Sequence, residues 1–128
     1  MISFDYAPDY EGGSAAPVVE LRVYPIGGQE GVVARALVDS GAEATVLPLD
    51  VLAEAGAEQA GRARLRWGHG PGQPYDVFLV MLEIGPHWLP GVRVLADRRF
   101  GEAVIGRDVL NQLVVTLNGP GLVVEIAA

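Results

Sequence analysis

Hydrophobic and polar residues alternate along most of the chain with a period of two rather than 3.6. Such alternation is typical of strands that bury one face and expose the other. It predicts strands at residues 2–6, 18–24, 32–38, 62–67, 75–84 and 92–96. Two further strands, 113–117 and 122–126, flank Asn118-Gly119-Pro120-Gly121, a sequence that predicts a terminal hairpin.

Helical signals are few. Residues 49–55 have a helical composition that ends at Gly56, and residues 106–113 predict a second short helix. Residues 7–17 are rich in proline, glycine and acidic side chains, which is typical of a loop. Many short strands, little helix and 17 glycines indicate a mostly β barrel or sandwich.

The composition limits the classes of protein that fit. A chain of 128 residues predicts one domain, 1–128, in which residues 1–17 form an N-terminal strand and loop. With 50% hydrophobic residues the chain can bury a core, and the absence of cysteine excludes disulfides and thiolate metal sites. A net charge of −7 argues against a nucleic-acid or anionic-membrane partner. With no signal-peptide pattern and no membrane-spanning apolar run, we expect a cytoplasmic protein.

One carboxylate stands between two apolar runs. The first run, 36–38, leads into Asp39-Ser40-Gly41, and the second, 46–48, follows closely. A carboxylate in apolar surroundings is costly unless it is paired, hydrogen-bonded or protonated, while glycine permits a sharp turn and close approach by another group. Asp39 is therefore either a catalytic acid or a turn residue, and the tripeptide alone does not decide between them.

A second motif lies far downstream, where an apolar run ends in Ile105-Gly106-Arg107-Asp108. Together with Asp39-Ser40-Gly41-Ala42, it resembles the retropepsin-like aspartic peptidases, single-domain relatives of pepsin and the retroviral proteases, over residues 18–126. In that family an apolar strand leads into Asp-Thr/Ser-Gly-Ala, and Gly-Arg-Asp/Asn packs beside it. The resemblance implies a mostly β, closed barrel-like domain with one or two short helices and a glycine-rich flap hairpin.

The resemblance also implies an activity. Retropepsin-like chains carry one catalytic aspartate each, and this sequence holds no second Asp-Ser/Thr-Gly. The implied enzyme is a homodimeric aspartic endopeptidase in which two Asp39 carboxylates activate a water that attacks a peptide bond. It acts on a peptide or protein substrate and needs no metal or other cofactor.

Further residues of the first motif receive supporting roles from the resemblance. Ser40 is expected to bond across the dimer to the other loop, and the Gly41 carbonyl to accept a substrate amide. Ala42 completes the motif. Glu43 either pairs with Arg107 behind the loop or is solvated, since surface pairs are common and weak. Asp108 is expected to cap or support the short helix.

The best flap segment is Trp67-Gly68-His69-Gly70-Pro71-Gly72-Gln73-Pro74, about 30 residues after Asp39, although it departs from the retroviral glycine pattern. Trp67 and Tyr75 either line a substrate groove or are ordinary packed aromatics. The two histidines, His69 and His87, show no ligand spacing, so a zinc site is not predicted.

A rival hypothesis keeps the fold but not the reaction. The chain would then be a catalytically weak or inactive retropepsin-fold module that dimerises or binds peptides. Replacement of Asp39 by Asn separates the two, because only an enzyme loses acid-favoured cleavage. Terminal strands help to hold the dimer in the family, so removal of residues 121–128 is expected to weaken dimerisation and activity together.

Overall fold

The chain folds mainly into β-strands, as the sequence predicts. The computed structural model describes residues 1–66, 70–99 and 101–128. In those ranges the elements are β1 (Ile2–Asp5), β2 (Val18–Pro25), β3 (Val32–Val38), β4 (Val46–Pro48), α1 (Leu49–Ala55), β5 (Glu58–Leu65), β6 (Gln73–Ile84), β7 (His87–Asp97), β8 (Val104–Ile105), α2 (Arg107–Leu110), β9 (Val115–Asn118) and β10 (Val123–Ile126).

The larger sheet has seven strands in the order β2-β3-β8-β4-β7-β6-β5. Strand β2 pairs with β6 as well as with β3, so six of these strands form a closed circuit of pairings that leaves β5 outside it. Strands β3 and β8 run parallel, with Leu37 opposite Val104 and Val38 opposite Ile105. Because parallel strands end at the same edge, the residues after Val38 and after Ile105 are brought together there.

The core follows from the alternation. The inward side chains of β2, β6 and β7 are almost fully buried, including Leu21, Val23, Val80, Leu82 and Val94. A smaller apolar cluster is formed by Ala42, Val46, Leu65, Val77, Leu95 and Val104. This second cluster joins the segment after Asp39 to β6, β7 and β8, and it therefore supports the loop in which the candidate motif lies.

The predicted helix at 49–55 is confirmed. Helix α1 begins after Pro48 and ends at Gly56, whose φ of 72° lies in the left-handed region that favours glycine. The predicted second helix is shorter than expected, since α2 spans only Arg107–Leu110. The predicted strand at 62–67 overlaps β5 only over residues 62–65, because β5 begins at Glu58 and ends at Leu65. Residue 67 lies outside the described residues.

The termini form a separate three-stranded sheet with the order β1-β10-β9. The predicted terminal hairpin is confirmed, with Val124 opposite Leu117. Val124 and Ile126 of the central strand are buried in the main core, whereas Leu117 on the edge strand β9 is 52% exposed. Among the described residues, none of the helices has the length and apolar character needed to span a membrane.

Candidate active site

Asp39 directly follows β3 and is held in a tight turn. Its N–H donates to the carbonyl of Ile105 at 3.0 Å, and its own carbonyl accepts from Ala42 N–H at 3.1 Å. Its carboxylate oxygen Oδ1 accepts from Gly41 N–H at 2.9 Å. Asp39 is half-buried, while Ser40 and Gly41 are exposed. The turn therefore fixes the carboxylate at an accessible position.

The Gly-Arg-Asp motif braces this turn from behind. The backbone N–H of Arg107 donates to the carbonyl of Ala42 at 2.9 Å. The Arg107 guanidinium donates through Nη1 to the carbonyl of Ser40, also at 2.9 Å. The ion pair between Glu43 and Arg107 that the sequence suggested is not formed in the described chain: Glu43 is exposed, and the guanidinium binds a backbone oxygen instead. Arg107 thus supports the loop, but by a different contact.

Thr45 is the centre of a second set of contacts between the two motifs. It is fully buried, and its hydroxyl donates to Asp108 Oδ1 at 2.8 Å and accepts from Gly106 N–H at 3.1 Å. Its own N–H donates to Asp108 Oδ2 at 3.2 Å. Asp108 also accepts from the Val109 N–H at the start of α2, which supports the helix as the sequence suggested. The alternation of polar and apolar residues does not mark Thr45 as a site residue. A single hydroxyl at the start of the apolar run 46–48 could have indicated a buried hydrogen bond.

Gly106 is required by the closeness of the two loops. A Cβ atom there would lie 2.6 Å from the carbonyl carbon and oxygen of Ala44 and 2.9 Å from the carbonyl oxygen of Ala42. These are backbone atoms, which cannot rotate away as a flexible side chain can. Any side chain at this position would therefore push apart the Asp39 loop and the start of α2.

Asp39 lines a cavity with a volume of about 740 Å³. Strands β3, β4, β5, β6, β7 and β8 and the segment after β7 contribute to its wall. The lining residues include Leu37, Val46, Arg62, Tyr75, Asp76, Asp97, Arg98, Arg99, Glu102 and Val104. The groove is thus apolar near its base and charged around its rim.

Asp97 is a buried carboxylate that the sequence analysis did not select. It is 8% exposed, and its two oxygens accept from Arg99 N–H at 3.0 Å and Glu102 N–H at 2.8 Å. It ends an apolar strand just as Asp39 does, which was the available signal. Its contacts show that it holds the backbone at Arg99 and Glu102.

Two carboxyl groups in the cavity wall have shifted titration. Burial, together with the negative charges of Glu11, Asp97 and Asp39, raises the pKa of Glu102. In Asp76 the hydrogen bond from Arg98, assisted by the charges of Arg98 and Arg62, lowers the pKa. The rim thus has a negative side close to Asp39 and a side at Asp76 where arginines compensate the carboxylate.

Most of the predicted flap segment lies between β5 and β6, which pair as an antiparallel hairpin with Leu65 opposite Gln73. Its last two residues, Gln73 and Pro74, belong to β6. Trp67, Gly68 and His69 lie outside the described residues. Gly70 is exposed, and the carbonyl of Gly72 accepts from Arg64 Nη1 at 2.9 Å. Tyr75 is half-buried beside the second apolar cluster and lines the cavity that holds Asp39. It therefore both packs and faces the groove.

His87 is the first residue of β7, and its Nε2 is 2.6 Å from the carbonyl oxygen of Ala127. The described residues contain no group of three or more histidine, aspartate or glutamate side chains arranged to hold a metal ion.

The fold is shared with known aspartic proteases. The protease of EIAV, complexed with the inhibitor HBY-793, superposes with a TM-score of 0.53 at 17% identity, covering 76% of this chain and 86% of that one. A retropepsin-like aspartic protease from Rickettsia conorii gives 0.61 at 10% identity, covering 98% and 89%. A foamy viral protease–reverse transcriptase in complex with double-stranded DNA gives 0.54 at 16%, covering 78% of this chain and 16% of that one. At these identities the likeness shows the fold.

Sequence comparison identifies the family. No curated protein matches the chain significantly. The family described as "gag-polyprotein putative aspartyl protease" matches residues 26–112, which include both motifs and most of the cavity wall. A match over more than half of the chain, on the same fold, means that the chain belongs to this family of retropepsin-like aspartic proteases.

Proposed function

We propose that the protein is an aspartic endopeptidase whose active site is formed by Asp39 from each of two chains. The observation that carries the proposal is the Asp39 carboxylate, fixed by the Gly41 N–H at 2.9 Å and open to a cavity of about 740 Å³. A rigidly held acid beside a groove large enough for peptide side chains is what general acid–base hydrolysis needs. Residues 1–128 act as one domain in this proposal.

A second chain is required because a single chain supplies one such aspartate. Ser40 and Gly41 are exposed in the single chain, which leaves them accessible to the same loop of a partner. A two-fold axis through this surface would place the two Asp39 side chains opposite each other. Ser40 would then bond to the partner's loop, while Arg107 holds the Ser40 carbonyl from within its own chain.

The reaction follows from two carboxyl groups at close range, which cannot both be ionised easily and so share one proton. The ionised group takes a proton from water as the water oxygen attacks the scissile carbonyl carbon. The protonated group donates its proton to the carbonyl oxygen. Collapse of the tetrahedral intermediate breaks the C–N bond, and the carboxyl group that took the proton from water gives it to the leaving nitrogen. The other carboxylate takes a proton from a hydroxyl of the intermediate, which restores the starting state. No covalent enzyme intermediate forms.

The β5–β6 hairpin is the proposed flap. It borders the cavity through Arg62 and Tyr75, so closure over a bound peptide would exclude water from the site. Tyr75 contributes a groove wall, with Gly70 and Gly72 near the tip. We extend the flap proposal to Trp67, Gly68 and His69 on sequence position alone.

The terminal sheet offers a second dimer contact, since β1 and β9 are its free edges in the described chain. Removal of residues 121–128 is a poor test, because it deletes the buried Val124 and Ile126 and would destabilise each chain. Leu117→Glu is a better test of the dimer contact than the truncation, because Leu117 is exposed on the edge strand. We expect it to weaken dimerisation while the folded monomer persists.

The test of function is cleavage of a mixed peptide library between pH 3 and 8 by the wild type and by Asp39→Asn. The variant keeps an acceptor for the Gly41 N–H and should fold and dimerise, but it should lose cleavage. Asp50→Asn, an exposed change at α1, is the matched control. If the wild type binds peptides without cutting them, and Asp39→Asn binds equally well, the chain is a binding module and the enzymatic proposal is wrong.

A further inference from the structure

We propose that Asp76 is a positioning residue that clamps the β5–β6 hairpin to the loop after β7 and so sets the opening of the groove. The clamp consists of Arg62, Asp76 and Arg98. This inference rests on the proposed peptidase function for its kinetic consequence, but the clamp itself is a feature of the single chain.

One carboxylate connects three successive elements. Asp76 lies in β6 directly opposite Arg62 of β5, and its Oδ1 is 3.3 Å from Arg62 Nε. Its other oxygen, Oδ2, pairs with Nη2 of Arg98, the first residue after β7. All three side chains line the cavity that holds Asp39. A change in the clamp would therefore alter the shape of the groove.

Burial shows which member of the clamp matters most. The Asp76 side chain is 12% exposed, against 72% for Arg62 and 56% for Arg98. Isolated surface ion pairs contribute little to stability, and the two arginines taken alone would be of that kind. A largely buried carboxylate is different, because without its partners it keeps the cost of desolvation. Asp76 therefore holds both arginines more firmly than either would be held at an open surface.

The two sides of the clamp differ in how they are otherwise fixed. The loop after β7 is held independently by Asp97, which binds the N–H groups of Arg99 and Glu102. Strand β5 is the outer strand of its sheet, pairs with β6 alone in the described chain, and has a register shift between Gln59 and Arg62. Besides this pairing, β5 is held by the packing of Leu65 in the second apolar cluster and by Arg93 Nη2, which donates to the Ala60 carbonyl at 3.3 Å. The hairpin is thus the less firmly held side, and the clamp adds its ionic contact to the residues after β7.

The expected kinetic effect is on substrate retention rather than on chemistry. The clamp residues make none of the hydrogen bonds that hold the Asp39 turn, so the reacting carboxylate stays in place without them. A hairpin released from the loop would close less completely over a peptide. The result should be a higher KM with kcat little changed.

The test compares Asp76→Asn and Arg98→Gln with their double variant and with Arg98→Lys. We expect each single variant to raise KM about fivefold with kcat within about twofold, as for the loss of a charge-assisted hydrogen bond. The double variant should be no worse than Asp76→Asn, because both changes break the same contact. Arg98→Lys should restore most of the KM, and Glu54→Gln, an exposed change on α1, is the control.

Amide hydrogen exchange gives a readout that does not depend on activity. Asp76→Asn and Arg98→Gln should speed exchange in β5 by about tenfold while the β2–β3 pairing keeps its protection. Wild-type exchange in β5 with wild-type KM would overturn the clamp, as would uniform loss of protection throughout the chain. If Asp76→Asn fails to fold, Arg98→Gln at its exposed position decides the question. If the wild type cuts no peptide, the peptidase proposal fails, and the exchange result alone decides the clamp.

Discussion

The Arg107 guanidinium donates to the carbonyl oxygen of Ser40 at 2.9 Å, across 67 residues of sequence. The contact joins the exposed middle of the Asp39 turn to the first residue of α2. An acid that must meet its counterpart on another chain needs a turn of fixed shape. Arg107 provides that shape from inside its own chain, and it leaves Ser40 exposed where the proposed second chain would bind.

Arg107→Ala should therefore lower peptidase activity much more than it lowers stability. The lost hydrogen bond is partly solvated, so we expect a loss of about 1 kcal/mol in the free energy of unfolding, whereas kcat should fall at least about tenfold. Urea unfolding and steady-state kinetics measure the two effects. Glu43→Gln is the informative control, because Glu43 makes no pair with Arg107 in the described chain and its removal should leave both quantities unchanged. An equal loss of stability and activity with Glu43→Gln would show that Glu43 and Arg107 form the ion pair that the sequence suggested.

Gly106→Ala should damage the site through backbone displacement. The new Cβ would lie 2.6 Å from the Ala44 carbonyl, and a clash with backbone atoms is expected to cost about 1–3 kcal/mol. Activity should be lost with it, because the displaced segment leads directly from Asp39. Gly119→Ala is the matched control, since nothing lies within 4 Å of its added Cβ. A fully active Gly106→Ala would mean that the two loops are not rigidly joined.

Thr45→Val tests the buried hydroxyl. The change preserves shape but leaves the buried Gly106 N–H without its acceptor and removes one of the two hydrogen bonds that Asp108 Oδ1 accepts, at a cost of about 1–3 kcal/mol. Thr45→Ser keeps the hydroxyl and removes one methyl, which should cost about 1 kcal/mol. In chemical denaturation the free energy of unfolding should therefore be highest for the wild type, lower for Thr45→Ser and lowest for Thr45→Val. The reverse order of the two variants would show that packing, not the hydrogen bonds, holds this position.

Glu102→Gln should stabilise the folded chain at pH 7. Burial and the charges of Glu11, Asp97 and Asp39 raise the pKa of Glu102 above its ordinary 4.5, so its ionised form is disfavoured in the folded state. The resulting destabilisation of the wild type is present above the folded-state pKa and disappears as the pH falls below 4.5. Unfolding curves should thus show a gain for the variant at neutral pH that vanishes in acid. A gain that grows in acid would contradict the assignment.

Alternation was sufficient for the strands that bury one face, and β3 matches its predicted span of 32–38. It failed where that pattern is absent. Strand β5 is exposed at nearly every position before Leu65, which hides its beginning, and β4 and β8 have only three and two residues. Elements this short are set by their neighbours in the sheet and not by local preference.

The candidate site divides in the same way. The Asp-Ser-Gly turn is local and could be predicted from its motif. The long-range contacts of the site could not be predicted, because those of Thr45 with Asp108 and of Asp76 with Arg98 join residues 63 and 22 positions apart. Which residues form such pairs depends on the order of the strands in the sheet. A local sequence pattern does not predict that order. The parallel pairing of β3 with β8 is the feature that turns two separate motifs into one site.

If one active site uses Asp39 from two chains, mixing wild-type subunits with inactive subunits must lower the activity of the wild-type chains. Wild type is mixed with a ninefold excess of Asp39→Asn, allowed to exchange subunits, and assayed for peptide cleavage per wild-type chain. Random pairing leaves about one wild-type chain in ten with a wild-type partner, so activity should fall to about a tenth. The same excess of Asp50→Asn should cause no such loss. Full activity per wild-type chain in the Asp39→Asn mixture, after proven exchange, would contradict the shared site.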